Sequence, residues 1–273
     1  MKLIPFFSRY LVVFIMVFIS LVPFYALLYL SLNTPASSFF DKNMLLPDFH
    51  FINYVEAWKV SKIGLAITNS LIITIGAVTV VVLFSSSAGY SIARFKNKFN
   101  SSVFMILLLC LMIPAIIITV PLYILMKSIE GINTHWAMIL LTAAIAMPFS
   151  VFLYTSFIRS LPREVEESAI IDGCTYFTAF WRVTFHFIKP VTAAVVILTG
   201  LGIWNNYAQA VFFLQEQSMR TVPLAVSIFF QKYGAQWNLM AAAAMIGLSP
   251  AVIAFLVFQK YFIKGITAGA LKG

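Results

Sequence analysis

The chain has 273 residues, of which 62% are hydrophobic and only 10% are charged, and its mean hydropathy is +0.96. A soluble domain carries about 25% charged and about 45–50% apolar residues, so this composition excludes an ordinary water-soluble protein and indicates that lipid surrounds much of the chain. The net charge of +9 does not indicate nucleic-acid binding, because the basic residues are scattered beside apolar segments, where such charges set membrane orientation.

Six apolar segments are long enough to cross a bilayer, which takes about 20 helical residues. They lie near residues 10–32, 66–90, 103–126, 136–158, 190–208 and 241–262. The first is too long for the apolar region of a signal peptide, which predicts an uncleaved anchor. We therefore predict an all-α integral membrane protein with six transmembrane helices. Residues 1–65 would form the anchor helix and an external loop, and residues 66–273 the core, with a loop at 159–189 and a tail at 263–273.

Lys and Arg residues are divided unevenly by these segments. Twelve of the 18 fall on the side that holds both termini, and because cytoplasmic loops are richer in Lys and Arg, we predict that both termini are cytoplasmic. No Asp or Glu falls within the six segments, whereas proton-driven carriers keep an ionisable side chain at membrane depth. Energy for transport must then come from elsewhere. An ion-coupled secondary transporter or a channel subunit remains the alternative, since sodium sites can use backbone oxygens.

The loop at 159–189 contains the signals of a short helix. Pro162 suits a first helical position, and Gly173 can take the left-handed conformation that follows a helix end. Three glutamates lie between them, where the helix dipole favours negative charge: Glu164, Glu166 and Glu167. We predict a helix of about three turns here. The aromatic residues that follow, up to Pro190, are typical of the membrane–water interface.

Residues within this predicted helix form a specific pattern. The run Glu167-Ser168-Ala169, followed by Asp172-Gly173, resembles the EAA motif of ABC importer permeases, in which E-A-A-x-x-x-G is followed later by I-x-L-P. In that family the motif forms the coupling helix that docks on the cytoplasmic ATPase. The resemblance therefore implies that Glu167, Ser168, Ala169, Asp172 and Gly173 couple this chain to an ATPase. Ser168 replaces the first alanine of the motif, and His186 stands where its proline is expected.

Further short sequence elements, each different, are spaced along nearly the whole chain. The clearest are Ala88-Gly89-Tyr90, Ala93-Arg94, Asn133-Thr134, Trp204-Asn205 and the terminal run from Phe258 to Gly273. Together they are similar to the MalG-like group of carbohydrate ABC permeases. The resemblance implies the type I ABC importer permease fold and a location in the bacterial inner membrane. It also implies that the chain forms half of the translocation pathway for a sugar, oligosaccharide or related solute.

The same resemblance implies a division of labour between subunits. The partners would be a second, related permease in a heterodimer, a dimer of ABC ATPases and an external solute-binding protein, with membrane lipid around them. This chain has no G-x-x-x-x-G-K-[ST] loop. We therefore predict a transport subunit that is not an enzyme and binds no cofactor or metal, with ATP and Mg²⁺ on the partner ATPase.

Polar and aromatic residues within the segments are candidates for contacting the solute, because sugars are bound by hydrogen bonds and aromatic faces. The candidates are Trp204, Asn205, Asn206, Asn69, Thr119 and Tyr123. Two other interpretations stay open, because polar side chains in membrane helices also bridge neighbouring helices and Trp anchors at interfaces.

Overall fold

The computed structural model describes residues 6–34, 46–231 and 236–270, and every regular element within these ranges is helical. The helices are α1 (Phe6–Ser31), α2 (Ile52–Ser61), α3 (Ile63–Arg94), α4 (Lys98–Cys110), α5 (Thr119–Ser128), α6 (His135–Arg159), α7 (Glu164–Ile171), α8 (Tyr176–Phe187), α9 (Lys189–Trp204), α10 (Ala210–Phe213), α11 (Val222–Gln231) and α12 (Trp237–Ala270). The all-helical prediction is confirmed.

The chain divides into two compact units. The first contains the described residues within 1–66 and 222–249, and its core includes Ala57, Phe229 and Ala242. Asn53 ties its loops together, because its Nδ2 donates to the carbonyl oxygens of Ser31 and Asn33 at 2.9 and 2.8 Å. The grouping of 222–249 with the N-terminal segment is a tertiary feature, and the sequence-based division at residue 65 stays a prediction.

The second unit contains the described residues within 67–221 and 250–270. Helices α4 and α9 pack against α6. Helix α3 approaches α6 so closely that a Cβ at Gly89 would lie 2.6 Å from the Cβ of Tyr154. Tyr154 is fully buried and donates from its hydroxyl to Thr192 Oγ1 on α9 at 3.2 Å. Glycine is therefore required at position 89 for this helix contact.

Four helices in the described ranges are long and apolar enough to span a membrane. They are Tyr10–Ser31, Ile63–Arg94, His135–Arg159 and Trp237–Val257. These match the predicted first, second, fourth and sixth segments. A fifth candidate is the pair α8 and α9, which is bent by 77°. Several membrane-length helices are thus confirmed, whereas the number six stays a prediction.

The predicted third segment, 103–126, is not one continuous helix. It is divided between α4 and α5, and residues 111–118 form successive turns. Pro114 lies within the break. Proline lacks a backbone N–H and disfavours helical geometry at the residue before it, which favours a break here. It does not enforce one, because α6 and α12 continue past Pro148 and Pro250.

The predicted fifth segment, 190–208, is shorter than expected. Helix α9 ends at Trp204, followed by Asn205 as its C-cap, and Pro190 lies in its first turn. Proline is favoured there because the first helical N–H groups have no intrahelical partner. The sharp bend before α9 therefore falls at a position where the sequence allows a new helix to begin.

Candidate functional site

The predicted coupling helix is present as α7, which is eight residues long and carries three acidic residues in its first turn. Its length corresponds to about two turns rather than the expected three. The helix is closed by two backbone bonds, from Cys174 N–H to Ala169 O and from Gly173 N–H to Ile170 O, both at 3.0 Å. Gly173 has φ +89°. This is the Schellman arrangement, so the predicted left-handed glycine is confirmed.

The two faces of α7 have different environments. Glu167, Ser168 and Asp172 are exposed, whereas Ala169 is only 8% exposed. The sequence reading placed all of them in one docking motif. Because the alanine faces the interior of its own chain, it lets α7 lie close to that interior. The surface available to a partner consists of the polar residues together with Ile171, which is 84% exposed.

Glu166 has a structural role that the sequence did not predict. It is 7% exposed, and Arg94 at the end of α3 donates to it from Nε at 2.9 Å to each carboxylate oxygen and from Nη2 at 2.7 Å. Nη2 also donates to the carbonyl of Leu161 at 3.3 Å. The ion pair therefore fixes α7 and its preceding loop to α3. No short-range pattern connects the two residues, which are 72 positions apart.

Aromatic packing attaches the segment after α7 to α3. The ring of Phe180 lies 4.9 Å from that of Tyr90 and 4.8 Å from that of Trp181, and Tyr176 lies 5.1 Å from Phe95. Phe180 is 3% exposed, in a π-helical turn at Phe180–Thr184. Three rings of this segment are exposed, those of Tyr176, Phe177 and Phe187, and their location at the membrane–water interface stays a prediction. His186, which stands at the position of the expected motif proline, is exposed on α8. The helix does not bend at His186; the bend lies between Phe187 and Lys189.

The side chain of Asn69 is buried and connects three parts of the chain by hydrogen bonds. It is 3% exposed, its Nδ2 donates to the carbonyls of Ser218 and Arg220 at 2.8 and 3.0 Å, and its Oδ1 lies 2.9 Å from His135 Nε2. These bonds connect the start of α3 to the start of α6 and to the loop before α11. The interpretation of a polar residue that bridges helices describes Asn69.

Thr119 and Tyr123 both lie on α5. Thr119 is 3% exposed and donates to the carbonyl of Ala115 at 3.2 Å. The ring of Tyr123 lies 6.1 Å from that of Phe213, and its hydroxyl lies 3.4 Å from Gln215 Nε2. Thr119 is thus occupied locally, whereas Tyr123 contacts the segment after α10.

The candidates at the end of α9 separate into different environments. Trp204 is 6% exposed and lines a cavity of about 430 Å³ whose other walls come from α3 and α12, with Leu71, Val78 and Phe255 among them. That lining is almost entirely apolar, which suits an acyl chain or a packed helix better than a sugar. Asn205 is exposed outside it.

A second cleft, of about 280 Å³, lies between α6 and α9. Its polar and aromatic residues are Thr142, Phe149, Thr199 and Asn206. Asn206 Oδ1 accepts a bond from Gln209 N–H at 3.1 Å, and its Nδ2 has no partner among the described residues. The threonine hydroxyls donate to carbonyls one turn earlier but keep free acceptor positions. Of the six residues predicted to contact the solute, Asn206 is the one that lines this cleft, together with hydroxyl and aromatic groups that can bind a polyol.

Asn133 is a further organising residue whose role the sequence reading did not assign. It has φ +59°, and its Oδ1 accepts from the N–H groups of Gln215 and Glu216 at 2.6 and 3.0 Å. Its own N–H donates to Phe213 O at 2.8 Å. Asn tolerates the left-handed conformation, so one residue both turns the chain before α6 and holds the loop after α10. The Asn133-Thr134 pair, noted above for its similarity to the permease family, was the available signal.

A chain whose described regular elements are all helical, several of them long and apolar enough to span a membrane, is a multi-pass membrane protein. The chain belongs to the family of binding-protein-dependent transport system inner membrane components, whose family model matches residues 82–268. The prediction of an ABC importer permease, a transport component and not an enzyme, is thereby confirmed.

Relatives match along most of the chain. The melibiose/raffinose/stachyose import permease protein MelC of Bacillus subtilis is 39% identical over 92% of this chain and 91% of its own length. The arabinooligosaccharides transport system permease protein AraQ of Halalkalibacterium halodurans is 37% identical over 75% of this chain and 73% of its own. A probable permease for starch degradation products, AmyC of Thermoanaerobacterium thermosulfurigenes, is 29% identical over 97% of both.

A solved structure supports the fold. A chain from the crystal structure of a bacterial ABC transporter involved in the import of the acidic polysaccharide alginate matches with a TM-score of 0.79. The match covers 94% of this chain and 95% of that chain at 19% identity. At this identity the likeness concerns the fold, which is that of an ABC importer permease.

Proposed function

We propose that this chain is the permease subunit of an ATP-driven importer for a neutral oligosaccharide. The observation that carries the proposal is the similarity to MelC, at 39% identity over nearly the full length of both proteins. The cleft between α6 and α9 is compatible with this class of solute. Its described lining contains hydroxyl, amide and aromatic groups and no charged side chain, whereas an acidic saccharide would require a cation.

The partners follow from the family and from α7. A second, related permease completes the pathway, and an external binding protein delivers the solute. A dimer of ABC ATPases binds and hydrolyses ATP with Mg²⁺. Both termini lie in the cytoplasm, which places α7 on the same side as the ATPases. The ion-coupled alternative has no support among the relatives described above.

Coupling uses the two faces of α7 differently. Glu167, Ser168 and Asp172 form the exposed surface that meets the ATPase, while Gly173 ends the helix. Ala169 and Glu166 face inward and transmit movement to α3. A short helix anchored by a buried ion pair moves as one piece with the helix it is tied to, so displacement of the ATPase reaches the membrane segment.

The solute pathway on this chain includes the cleft between α6 and α9. Asn206 offers a free amide donor, Thr199 offers acceptor positions and Phe149 offers an aromatic face. Trp204 and Asn69 are assigned to helix packing, for the reasons given above. Asn205, which is exposed, contacts the partner permease or the solute at the end of α9.

The proposal is tested by purifying the tagged chain from its host and reconstituting the complex that comes with it, together with its binding protein, in liposomes. We expect an ATPase and a second permease to copurify, and uptake of radiolabelled raffinose or maltooligosaccharide to require internal ATP and to resist ionophores. Uptake that collapses with an ionophore, or a chain that purifies without an ATPase, would refute it. Preference for a uronic-acid oligosaccharide would refute the neutral solute alone.

A further inference from the structure

A large cleft of about 940 Å³ lies where α3 ends, α4 begins and α6 ends. Its basic lining residues are Arg94, Lys96, Lys98, Arg159 and Arg163. No acidic residue of the described part of the chain belongs to its lining. A concave surface lined by one sign of charge focuses its field into the cavity and concentrates ions of the opposite sign there.

Most of this charge is uncompensated. Arg94 is paired with Glu166 at 2.7 Å, but the other four cations are exposed and form no ion pair within the described ranges. The guanidinium of Arg159 lies 5.1 Å from the ring centroid of Phe104, which is also in the lining. This cation–π contact holds the charge at the wall of the cleft.

Membrane topology alone does not explain the arrangement. Charges that set orientation need only lie on the correct side of the bilayer, and convergence around one concavity is an additional feature. The three helices bring together cations that are up to 69 positions apart, from Arg94 to Arg163. The cleft therefore has the properties of a site for a phosphate-type anion.

The surface beside the cleft indicates which anion. Exposed apolar side chains continue along α4, where Phe99 is 74%, Met105 58%, Ile106 59% and Leu109 54% exposed. A soluble phosphate ion would leave this apolar surface uncovered, whereas the acyl chain of a lipid would pack against it. Basic pockets between membrane helices on the cytoplasmic side are typical sites for anionic lipid headgroups.

We propose that this cleft binds the phosphate headgroup of an anionic phospholipid, whose acyl chains lie along α4. Lys96, Lys98 and Arg159 bind the phosphate directly. Arg163 immediately precedes α7, and Arg94 holds α7 through Glu166. The bound lipid is therefore connected to the coupling helix at two points, and this inference does not depend on which solute is carried.

The test uses the complete transporter in detergent, titrated with fluorescent phosphatidylglycerol. The double variant Lys96→Gln/Lys98→Gln removes two cations of the site, while Lys96→Arg/Lys98→Arg keeps the charge. The matched control is Arg182→Gln/Lys189→Gln, which removes two exposed cations outside the cleft lining. We expect the Gln pair in the site to weaken binding at least roughly tenfold, and the Arg pair and the control to bind like the unaltered protein.

Competition separates the sources of the phosphate group. Unlabelled phosphatidylglycerol should displace the probe, whereas phosphatidylcholine and millimolar inorganic phosphate should not. Displacement by inorganic phosphate at that concentration would assign the cleft to a soluble anion and overturn the lipid proposal. Equal weakening in the control pair, or no weakening in the site pair, would also overturn it.

Discussion

Arg94 at the end of α3 and Glu166 in α7 form a buried ion pair with three short hydrogen bonds, and their side chains are only 7% and 9% exposed. Two charges that have left water are stable only when each satisfies the other, and the loss of one partner leaves an uncompensated buried charge. The pair therefore connects α7 directly to the membrane-length helix α3.

Replacement of Arg94 with Ala is expected to uncouple the transporter. The carboxylate of Glu166 would be left buried without its ion-pair partner, at a cost of about 3–5 kcal/mol, and α7 would lose its direct connection to the end of α3. We expect basal ATP hydrolysis to persist and its stimulation by binding protein and solute to fall at least roughly tenfold. Steady-state ATPase assays on the reconstituted complex measure both quantities.

Two further variants identify the cause of that effect. Glu166→Gln removes the charge at the buried position, and Glu167→Gln removes the neighbouring charge, which is exposed. Only the first should reduce coupling through α3, while the second should weaken ATPase docking and thus complex assembly. Normal stimulation in both Arg94→Ala and Glu166→Gln would show that the ion pair does not transmit movement.

Substitution of Gly173 tests the end of α7. A Cβ at this position would meet nothing within 4 Å in this chain, but φ is +89°, a conformation that costs L-residues about 1–2 kcal/mol. Gly173→Val should therefore abolish transport through backbone strain, whereas Gly173→Asn should keep a large part of it, because Asn enters this region more readily. Uptake into liposomes is the measurement.

The two variants at Gly173 also show whether a side chain at this position would obstruct docking of the ATPase. If Asn and Val abolish transport equally while the complex assembles, the requirement lies at the docking surface and not in the backbone. Full transport by Gly173→Val would contradict both explanations.

Asn69→Ala should reduce stability and leave solute affinity unchanged. The substitution removes two hydrogen bonds to the loop carbonyls and one to His135, and buried polar groups that lose their partners cost about 1–3 kcal/mol. Thermal unfolding of the purified complex should shift to lower temperature. Gln217→Ala, at an exposed position in the loop before α11, is the control and should not shift it. A higher KM with unchanged thermal stability in Asn69→Ala would return Asn69 to the solute pathway.

Asn206 can be tested so that its structural and binding roles are distinguished. Asn206→Ser keeps an oxygen that can accept from Gln209 N–H but removes the free amide donor, whereas Asn206→Ala removes both. We expect both variants to raise the KM for uptake by about fivefold to tenfold, the value of one hydrogen bond, and only the Ala variant to lower stability. An unchanged KM in the Ser variant would exclude this amide from the pathway.

Local patterns were sufficient for much of this protein. The apolar segments at 10–32 and 136–158 and the left-handed glycine at 173 depend on composition and on neighbouring residues, which the sequence displays directly. The break between α4 and α5 contains Pro114, but α6 and α12 continue past Pro148 and Pro250. Neither averaged hydropathy nor the presence of a proline therefore distinguishes a broken segment from a continuous one.

Tertiary structure alone decided which side chains meet. The sequence determined that lipid surrounds the chain, where charge is concentrated and which short helix resembles a coupling motif, because each property belongs to a contiguous stretch. It could not determine that Glu166 pairs with Arg94, that Ala169 faces inward, or that Asn69 binds loop carbonyls about 150 positions away. Such contacts are set by the packing of α3 against α6 and α7, and packing depends on the shape of all the surfaces involved.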